Sequence, residues 1–264
     1  MAIIEIAYLR DPATGMTLFD SAGYPQFDAT ANTGANTYLD LQNRVQNEVL
    51  GSPTTSDIKN AIQDAILMFE RETFYFNKIR SFGVTGSLSN LQTTQGKEFY
   101  SNVDLPILLN IPHIASVVIL AFNNRYPLIS RTPFWVDYQS VSTTWQGLPT
   151  DFCIMEDGTL RLYPVPDNTY QLVLDATFRF KPLSADADYN CWTNRGERLI
   201  RMAAKMLLFR DITRDAQQTA IFEREVYGDP SRPGLPGELG RLKAETTRRG
   251  GGVGGKLRPS RNYM

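Results

Sequence analysis

The chain has 264 residues, of which 42% are hydrophobic and 21% are charged, and its formal net charge is -1 at pH 7. A chain of this size and composition can fold as one or two domains without disulfides or a structural metal. The near-zero charge excludes a global attraction to nucleic acid or to an anionic membrane, so any such attraction must be regional. No apolar run approaches the roughly 20 residues that span a bilayer, so we expect a protein of the cytosol without membrane contact.

Residues 1–36 are predicted to form an N-terminal arm or hairpin. Residues 4–8 alternate between apolar and polar, residues 11–15 have the composition of a turn, and residues 16–19 can return as a second strand. Residues 21–35 are mostly small or polar. The arm can fold onto its own domain or add a strand to a neighbouring subunit, and the sequence leaves both alternatives open.

Two helices are predicted after the arm. Thr37 and Asp40 resemble a capping box at the start of the first helix. Ser56 and Asp57 are predicted to open the second helix, whose apolar stripe continues to about Phe76. Such a stripe is typical of a helix that packs on a core.

A second pair of helices is predicted near the C-terminal end. Asn194 and Glu197 form a cap-like pair at the start of one helix. Thr213 is expected to cap the next helix, which should end at Gly228.

The middle of the chain has the pattern of antiparallel β-structure. Asp157-Gly158 between two apolar runs predicts a hairpin with a type I′ turn, because both residue types tolerate positive φ. Apolar residues occupy alternate positions from Tyr170 to Phe180, as in a strand with one buried face. The predicted strands are residues 114–122, 125–130, 152–155, 160–163 and 170–180.

These patterns predict an α+β fold. We expect a helical bundle formed by the N- and C-terminal helix pairs, residues 37–78 and 193–240. An antiparallel β-sandwich or barrel domain, residues 79–192, is predicted to be inserted between the pairs.

One helix face near the C-terminal end is basic. Its four cationic residues follow one another at intervals of three, three and four, so they should project from the same side of the helix. This face is a candidate contact for nucleic acid or for acidic residues of a partner. The residues are Arg195, Arg198, Arg201 and Lys205.

Residues 241–264 are predicted to be a flexible basic tail. The segment has seven basic residues against one acidic residue, Glu245, and a glycine-rich run from Gly250 to Gly255. We expect it to be disordered alone and to order on a partner; the alternative is a solvated terminus without a role. The candidate partner-binding residues are Arg241, Lys243, Arg248, Arg249, Lys256, Arg258 and Arg261.

Motifs for catalysis are absent from the sequence. His113 is the single histidine, so paired-histidine metal sites are excluded, and Cys153 and Cys191 lack metal or redox spacing and are expected to be reduced thiols. The two glycine-rich motifs that bind nucleotide phosphates, G-x-x-x-x-G-K-[ST] and G-x-G-x-x-G, do not occur in the sequence. We therefore predict no enzyme, no cofactor and no catalytic or metal residue. The tryptophans are expected to be core or interface anchors: Trp135, Trp145 and Trp192.

The β-region resembles the strand pattern of head-to-tail adaptor proteins of podovirus-type tailed phages, also called gatekeepers or tail tubular proteins. The residues that carry the resemblance are 145–152, 157–166, 170–174 and Pro182-Leu183. It extends roughly from Thr37 to Gly228 and includes the order of two helices, a β-region and two helices.

This resemblance implies a structural virion protein at the head-tail junction, assembled in the host cytoplasm. Such proteins usually form twelvefold rings between the portal protein and the tail nozzle or tail tube protein, around a channel for genome retention and ejection. The implied partners are other copies of the chain, the portal, the tail and the packaged DNA. The arm or the tail is then expected to bind a neighbour. The basic helix face would line the DNA channel or, as we slightly favour, pair with acidic residues of the next subunit or the portal.

Two other functions remain as alternatives. A nucleic-acid-binding module would explain the arginine-glycine tail, but the near-neutral chain has no recognised reading motif. A carbohydrate-binding module of a phage tail would explain the β-region but not the helices on both sides of it.

Overall fold

The structure, a computed structural model, describes residues 7–10, 17–20, 22–29, 31–32, 34–49, 51, 53–82, 91–140, 145–232 and 234–249. Helices and several antiparallel sheets are combined in this part of the chain, in agreement with an α+β fold. The helices are α1 Tyr38–Glu48, α2 Thr55–Phe69, α3 Pro133–Gln139, α4 Cys191–Asn194, α5 Glu197–Leu208, α6 Ala216–Tyr227 and α7 Glu238–Arg249. A 3-10 turn spans Pro106–Asn110, and a π-helical turn, Phe209–Thr213, continues α5.

The first two helices begin with complete capping boxes. Thr37 and Asp40 cap α1 as predicted. In α2 the N-cap is Thr54, which pairs with Asp57, so the predicted start at Ser56 was two residues late. Helix α2 also ends at Phe69, before the predicted Phe76, and a turn follows in which the Asn77 side chain accepts a hydrogen bond from the Phe74 N–H at 2.7 Å.

The caps of the C-terminal helices differ from the prediction. Asn190, not Asn194, caps the short helix α4, and α5 follows from Gly196 without a side-chain cap. Asp215, not Thr213, caps α6 by accepting hydrogen bonds from two backbone N–H groups. Helix α6 ends at Gly228, as predicted.

Within the described residues, the strands form two four-stranded sheets and one two-stranded sheet. The first sheet has the order β1-β10-β3-β4, the second β2-β8-β7-β5, and β6 pairs with β9. Pairs β5-β7 and β6-β9 are parallel and the others antiparallel, and the described strands do not close a barrel. The strands are β1 Lys78–Phe82, β2 Phe99–Tyr100, β3 His113–Ala121, β4 Asn124–Pro127, β5 Ile129–Ser130, β6 Gln146–Gly147, β7 Asp151–Ile154, β8 Leu160–Tyr163, β9 Val165–Pro166 and β10 Gln171–Thr177.

The strands predicted at residues 114–122 and 125–130 pair, and so do the two strands of the hairpin predicted at Asp157-Gly158. Strand β3 pairs with β4, and Phe122 and Asn123, both of which have positive φ, form the turn between them. Strands β7 and β8 pair as predicted, but only Gly158 has positive φ, so the turn is not type I′. The predicted strand 125–130 is divided, because Ile129 leaves the first sheet and pairs with β7 in the second.

Strand β10 was predicted to bury one face, but both faces are largely buried. It lies between β1 and β3, with a register irregularity between Asp175 and Ala176. Thr177, on the face predicted to be polar and exposed, is buried against Thr73, with 2.7 Å between the two hydroxyl oxygens. The apolar alternation therefore identified the strand but underestimated its burial.

The buried apolar side chains form two large clusters. One joins the helices and includes Trp192, with α2 and α5 packed against each other. The other lies in the β-region and includes Val117 and Leu174. The assignment of domains from sequence stays a prediction, although these clusters are compatible with it.

The described part of the arm packs against its own chain. Tyr8 contacts both hydrophobic clusters, and its hydroxyl donates to the Phe76 carbonyl. The Phe19 ring lies 5.0 Å from Phe178, and the Phe27 ring lies 5.8 Å from Phe180. Of the two alternatives for the arm, these contacts favour folding onto its own chain. The predicted turn at residues 11–15 lies outside the described residues.

Residues 241–249 are not a flexible tail but most of helix α7. Leu242 is buried in the helical cluster, and the Thr246 hydroxyl accepts a hydrogen bond from the Tyr75 N–H at 3.0 Å. These contacts supply the tertiary packing that a short, highly charged helix needs. The prediction of flexibility from residue 241 was therefore wrong for this helix; residues 250–264 lie outside the described part.

Candidate interaction surfaces

The predicted basic helix face packs against acidic side chains of the same chain. Lys205 Nζ lies 2.5 Å from Glu48 Oε2, and Arg201 donates to the other oxygen of the same carboxylate. Arg201 Nε also lies 3.0 Å from Glu197, although the two buried groups are misaligned for a hydrogen bond. The ion pairs with Glu48 therefore join α5 to α1.

The pKa of the Glu48 carboxyl group is shifted by these neighbours. Partial burial raises the pKa of its carboxyl group, but the hydrogen bonds and charges of Lys205 and Arg201 outweigh burial and hold the pKa below its ordinary value. The carboxylate is therefore ionised at neutral pH and opposes the positive charge of the basic face.

The other two residues of the basic face point to different neighbours. Arg198 Nε lies 3.4 Å from Glu238, whose carboxylate is 2.8 Å from Arg241. The Arg195 guanidinium lies over the Tyr75 ring, 5.3 Å from the ring centre. Arg198, Arg201 and Lys205 thus lie on α5, whereas Arg195 lies at the end of α4, outside the single helix that was predicted. Each of the four contacts groups of its own chain, and a contact with DNA or a partner stays a prediction.

Four of the seven candidate tail cations lie on α7. Lys243 Nζ is 2.9 Å from Glu72, next to α2, and Arg249 pairs with Glu245 at 2.7 Å. These pairs help to anchor α7 on the helical cluster. Arg241 and Arg248 are exposed on α7, whereas Lys256, Arg258 and Arg261 lie outside the described residues.

A surface rich in aromatic side chains lies on the β-region. Helix α3 presents Phe134 and Tyr138 one turn apart, with exposed fractions of 79% and 70%, and Trp145 is 59% exposed. Trp135 and Trp145 both contact the Tyr163 ring edge-on, at 6.2 and 5.6 Å. We call Phe134, Trp135, Tyr138 and Trp145 the aromatic surface. Large exposed aromatic groups of this kind are typical of protein interfaces.

The aromatic surface has a rigid base. Arg161 is almost completely buried in β8, and its guanidinium lies 2.5 Å from both Glu98 and Asp137. Asp137 belongs to α3, so this arginine ties the helix to the sheet. Beside it, Arg131 pairs with Asp151 at 2.7 Å and stacks on Trp135 at 4.3 Å. The exposed rings therefore lie on elements that these ion pairs join to one another.

The sequence analysis missed helix α3. Two signals were present: Thr132, whose hydroxyl accepts from the Trp135 N–H, and Pro133 at the first helical position. The spacing of Phe134 and Tyr138 could have placed both rings on one face. The expectation that the tryptophans are anchors agrees with the structure for Trp192, which is buried in the helical cluster.

The residues considered for catalysis are not grouped. His113 is exposed at the start of β3, and among the described residues no group of three or more His, Cys, Asp or Glu is placed to hold a metal ion. Cys153 and Cys191 are free thiols, as predicted. Burial raises the pKa of Cys191 to about 12 and also raises that of Cys153, which disfavours the reactive thiolate.

The helices are short. The longest helix in the described ranges is α2, with 15 residues, and none of these helices is long and apolar enough to cross a membrane.

Comparison with known proteins identifies a family. The model of the SU10 adaptor protein family matches residues 36–230, which include helices α1 to α6 and every described strand. No curated protein matches the chain. Because the family match covers well over half of the chain, the resemblance recognised in the sequence is confirmed: the chain belongs to the SU10 adaptor protein family, a family of phage head-to-tail adaptors.

Proposed function

We propose that this chain is a structural virion protein that forms a ring between the portal and the tail of a phage, dodecameric as the family resemblance implies. Its partners are the portal protein, the tail nozzle or tube protein and other copies of itself. The ring surrounds part of the channel through which packaged DNA is retained and ejected. Assembly takes place in the host cytoplasm.

The observation that carries this proposal is the family match over residues 36–230. Membership indicates a phage structural adaptor and association with other virion components; the ring, the portal and the tail are our extension. The match ends before α7, so the family model gives no role to that helix.

Two separate cores support the architecture that we propose. We propose that the helices form one body around the first cluster and that the β-region forms a sandwich-like body around the second, inserted between the helix pairs. The helical cluster also includes Phe180 and Leu183, so we now place the second boundary near residue 180 instead of residue 192. A subunit with two bodies can present different surfaces to its neighbours.

The distribution of exposed apolar side chains supports contact between copies. A closed ring joins two different surfaces of each subunit, because a heterologous contact closes by rotation. The aromatic surface lies on the β-region, and a second group of exposed apolar residues lies on the helices. This second group comprises Leu67 and Met68 on α2 and Ile221 and Tyr227 on α6. We propose that the aromatic surface contacts the next copy of the chain in the ring.

The mass of the purified full-length protein, alone and with the portal of the same phage, tests both parts of this proposal. Native mass spectrometry and cryo-electron microscopy should show a closed ring, alone or on the portal. The double variant Phe134→Ser, Tyr138→Ser should remain folded but form the ring at least about tenfold more weakly, since central aromatic residues carry much of the energy of an interface.

The matched control is Val103→Ser, which removes an exposed apolar side chain outside the aromatic surface. It should assemble like the unmodified protein. A double variant that assembles normally would reject the role of the aromatic surface. A protein that stays monomeric and does not bind the portal would reject the adaptor ring itself.

A further inference from the structure

A mostly apolar pocket lies in the β-region, between β2, the start of α3 and the turn that joins β7 to β8. Its volume is about 700 Å³, and Phe99, Pro133 and Met155 supply its apolar side chains. The Phe99 ring is 44% exposed. Pro133 is followed in α3 by Phe134, so the pocket adjoins the aromatic surface. A neighbour that contacts the aromatic surface would therefore lie beside the pocket.

The Phe99 ring is held in place from inside the protein. The buried Arg161 guanidinium lies over this ring, 5.0 Å from its centre, and the two residues are cross-strand partners in β2 and β8. The same guanidinium pairs with Glu98 and Asp137. The ring is therefore ordered before a ligand arrives, which lowers the cost of binding one.

Two acidic side chains of the β7-β8 turn line the pocket. Glu156 and Asp157 are both exposed, and no described residue forms an ion pair with either carboxylate. The Thr159 N–H and hydroxyl each donate to Asp157 at 2.9 Å. These neutral donors hold the pKa of the Asp157 carboxyl below its ordinary value but leave its charge in place. The turn thus contributes two carboxylates that no neighbouring cation offsets.

The other two charged groups of the lining offset each other. Lys97 pairs with Asp104, whose carboxylate also accepts from the Ser101 N–H at 3.0 Å. The described lining therefore has one cation against three carboxylates. A ligand that suits such a pocket combines apolar groups with positive charge.

Residues 250–264 of the chain have this combination. The segment contains three cations and no acidic side chain, and cations alternate with apolar residues in Lys256-Leu257-Arg258-Pro259. The aliphatic stems of lysine and arginine can lie along an apolar surface while their charged ends reach carboxylates beyond it. Both the charge and the apolar content of this segment therefore complement the pocket.

We propose that residues 256–264 of a neighbouring copy of the chain dock in this pocket. Their apolar side chains contact Phe99 and Met155, and their cationic groups pair with Glu156 and Asp157. Exchange of a terminal segment enlarges the contact between copies without enlarging the core of either. The part played by a neighbouring copy rests on the ring proposed above, whereas binding of the segment to the pocket can be measured without a ring.

The test uses a fluorescently labelled peptide with the sequence of residues 250–264. It is titrated by anisotropy into the full-length protein carrying Lys256→Gln, Arg258→Gln and Arg261→Gln, so that the protein's own segment competes less. The peptide should bind in a saturable way. Addition of Glu156→Gln and Asp157→Asn to the acceptor should weaken binding at least about tenfold, because both charges of the turn are then removed.

The matched control replaces two exposed acids of α6 instead, Glu223→Gln and Glu225→Gln. This acceptor should bind the peptide as tightly as the one with the turn intact. Met155→Ala removes an apolar contact, should weaken binding severalfold, and replaces the charge variant if circular dichroism shows that the latter is unfolded. Absence of peptide binding, or equal binding by the pocket variants and the control, would show that the proposal is wrong.

Cross-linking identifies which copy supplies the segment. One copy carries Ser101→Cys in the pocket lining and another carries Ser260→Cys, while the two native thiols are buried. Oxidation should join the two copies by a disulfide. A disulfide that forms only when both changes are in one chain would contradict exchange between copies. Rings that form although the peptide does not bind would refute this proposal alone, and peptide binding by a protein that never forms a ring would refute the ring alone.

Discussion

Lys205 places a positive charge almost inside the helical core. Its side chain is only 5% exposed and lies 2.5 Å from the Glu48 carboxylate, which is 36% exposed. Its ammonium group also lies 4.4 Å from the centre of the Phe222 ring. A buried cation is costly unless it is paired, so the fold depends more on the acid at position 48 than the exposure of Glu48 suggests.

Glu48→Gln should therefore destabilise the protein at pH 7. The change leaves Lys205 with a neutral partner, and we expect a loss of about 1–2 kcal/mol in the free energy of unfolding, reduced by the partial exposure of position 48. Chemical denaturation provides the measurement. Glu225→Gln, at an exposed position of α6, is the control and should cost less than about 0.5 kcal/mol.

The same pair predicts a pH dependence. Since the folded pKa of Glu48 is lowered, its stabilising effect is fully present above the unfolded value of about 4.3 and is lost as the pH falls through the lower folded pKa. The difference in stability between the unmodified protein and Glu48→Gln should be constant from pH 7 to about 5 and shrink below about 4. A difference that grows on acidification would contradict this assignment.

The connection from helix α6 to helix α7 depends on two glycines. Gly228 has φ +97° and pairs with Pro236 in an antiparallel bridge. A Cβ on Gly237 would lie 2.3 Å from the Gly228 nitrogen and 2.5 Å from the Val226 oxygen, both backbone atoms that cannot move separately. This close approach brings α7 back onto the helical core.

Gly237→Ala should therefore displace α7. We expect a loss of more than about 2 kcal/mol in the free energy of unfolding, because the clash involves backbone on both sides. Gly234→Ala is a matched control in the same connection, since nothing lies within 4 Å of its added Cβ. Equal stability of the two variants, measured by thermal unfolding, would show that the close approach is not required.

A sequence prediction was more accurate where the residues that determine the structure lie close together in the sequence. The cap of α1 was correct because Thr37 and Asp40 are three residues apart and contact each other. Helix α3 was missed because seven residues give too short a periodic pattern. Helix α7 was missed because its high charge and Gly240 hide a helix whose stability comes from Leu242 in a distant core.

The candidate sites show the same limit. Spacing placed all four cations on one helix, but only Arg198, Arg201 and Lys205 lie on α5, because Arg195 caps the end of α4. The spacing also could not reveal Glu48 and Glu238, which come from other helices. Likewise, no sequence pattern relates Phe99 to Glu156, because tertiary folding alone brings them to one pocket.

The described part of the arm joins the two hydrophobic clusters. Phe19 packs on Phe178 of the β cluster, Phe27 packs on Phe180 of the helical cluster, and Tyr8 contacts both clusters. The arm is thus a bridge between the bodies that we propose as separate domains.

Loss of both rings should release the arm without unfolding either core. In the double variant Phe19→Ala, Phe27→Ala we expect amide exchange of Leu9, Leu18 and Gln26 to accelerate by at least about tenfold, since their hydrogen bonds lie within the arm. Amides in the paired strands β3 and β10 should keep their protection. Unchanged exchange in the arm would show that its own backbone hydrogen bonds hold it in place.

The pairing of Glu48 with Lys205 also has a consequence for evolution within the family. Replacement of Lys205 by an apolar residue leaves a carboxylate that can still reach water, whereas replacement of Glu48 first leaves a buried ammonium group without its counter-charge. The two positions are therefore coupled, and the order of the changes matters. Lineages that lose the pair should change position 205 before position 48, so sequences with an apolar residue at 205 and an acid at 48 should outnumber those with the reverse combination.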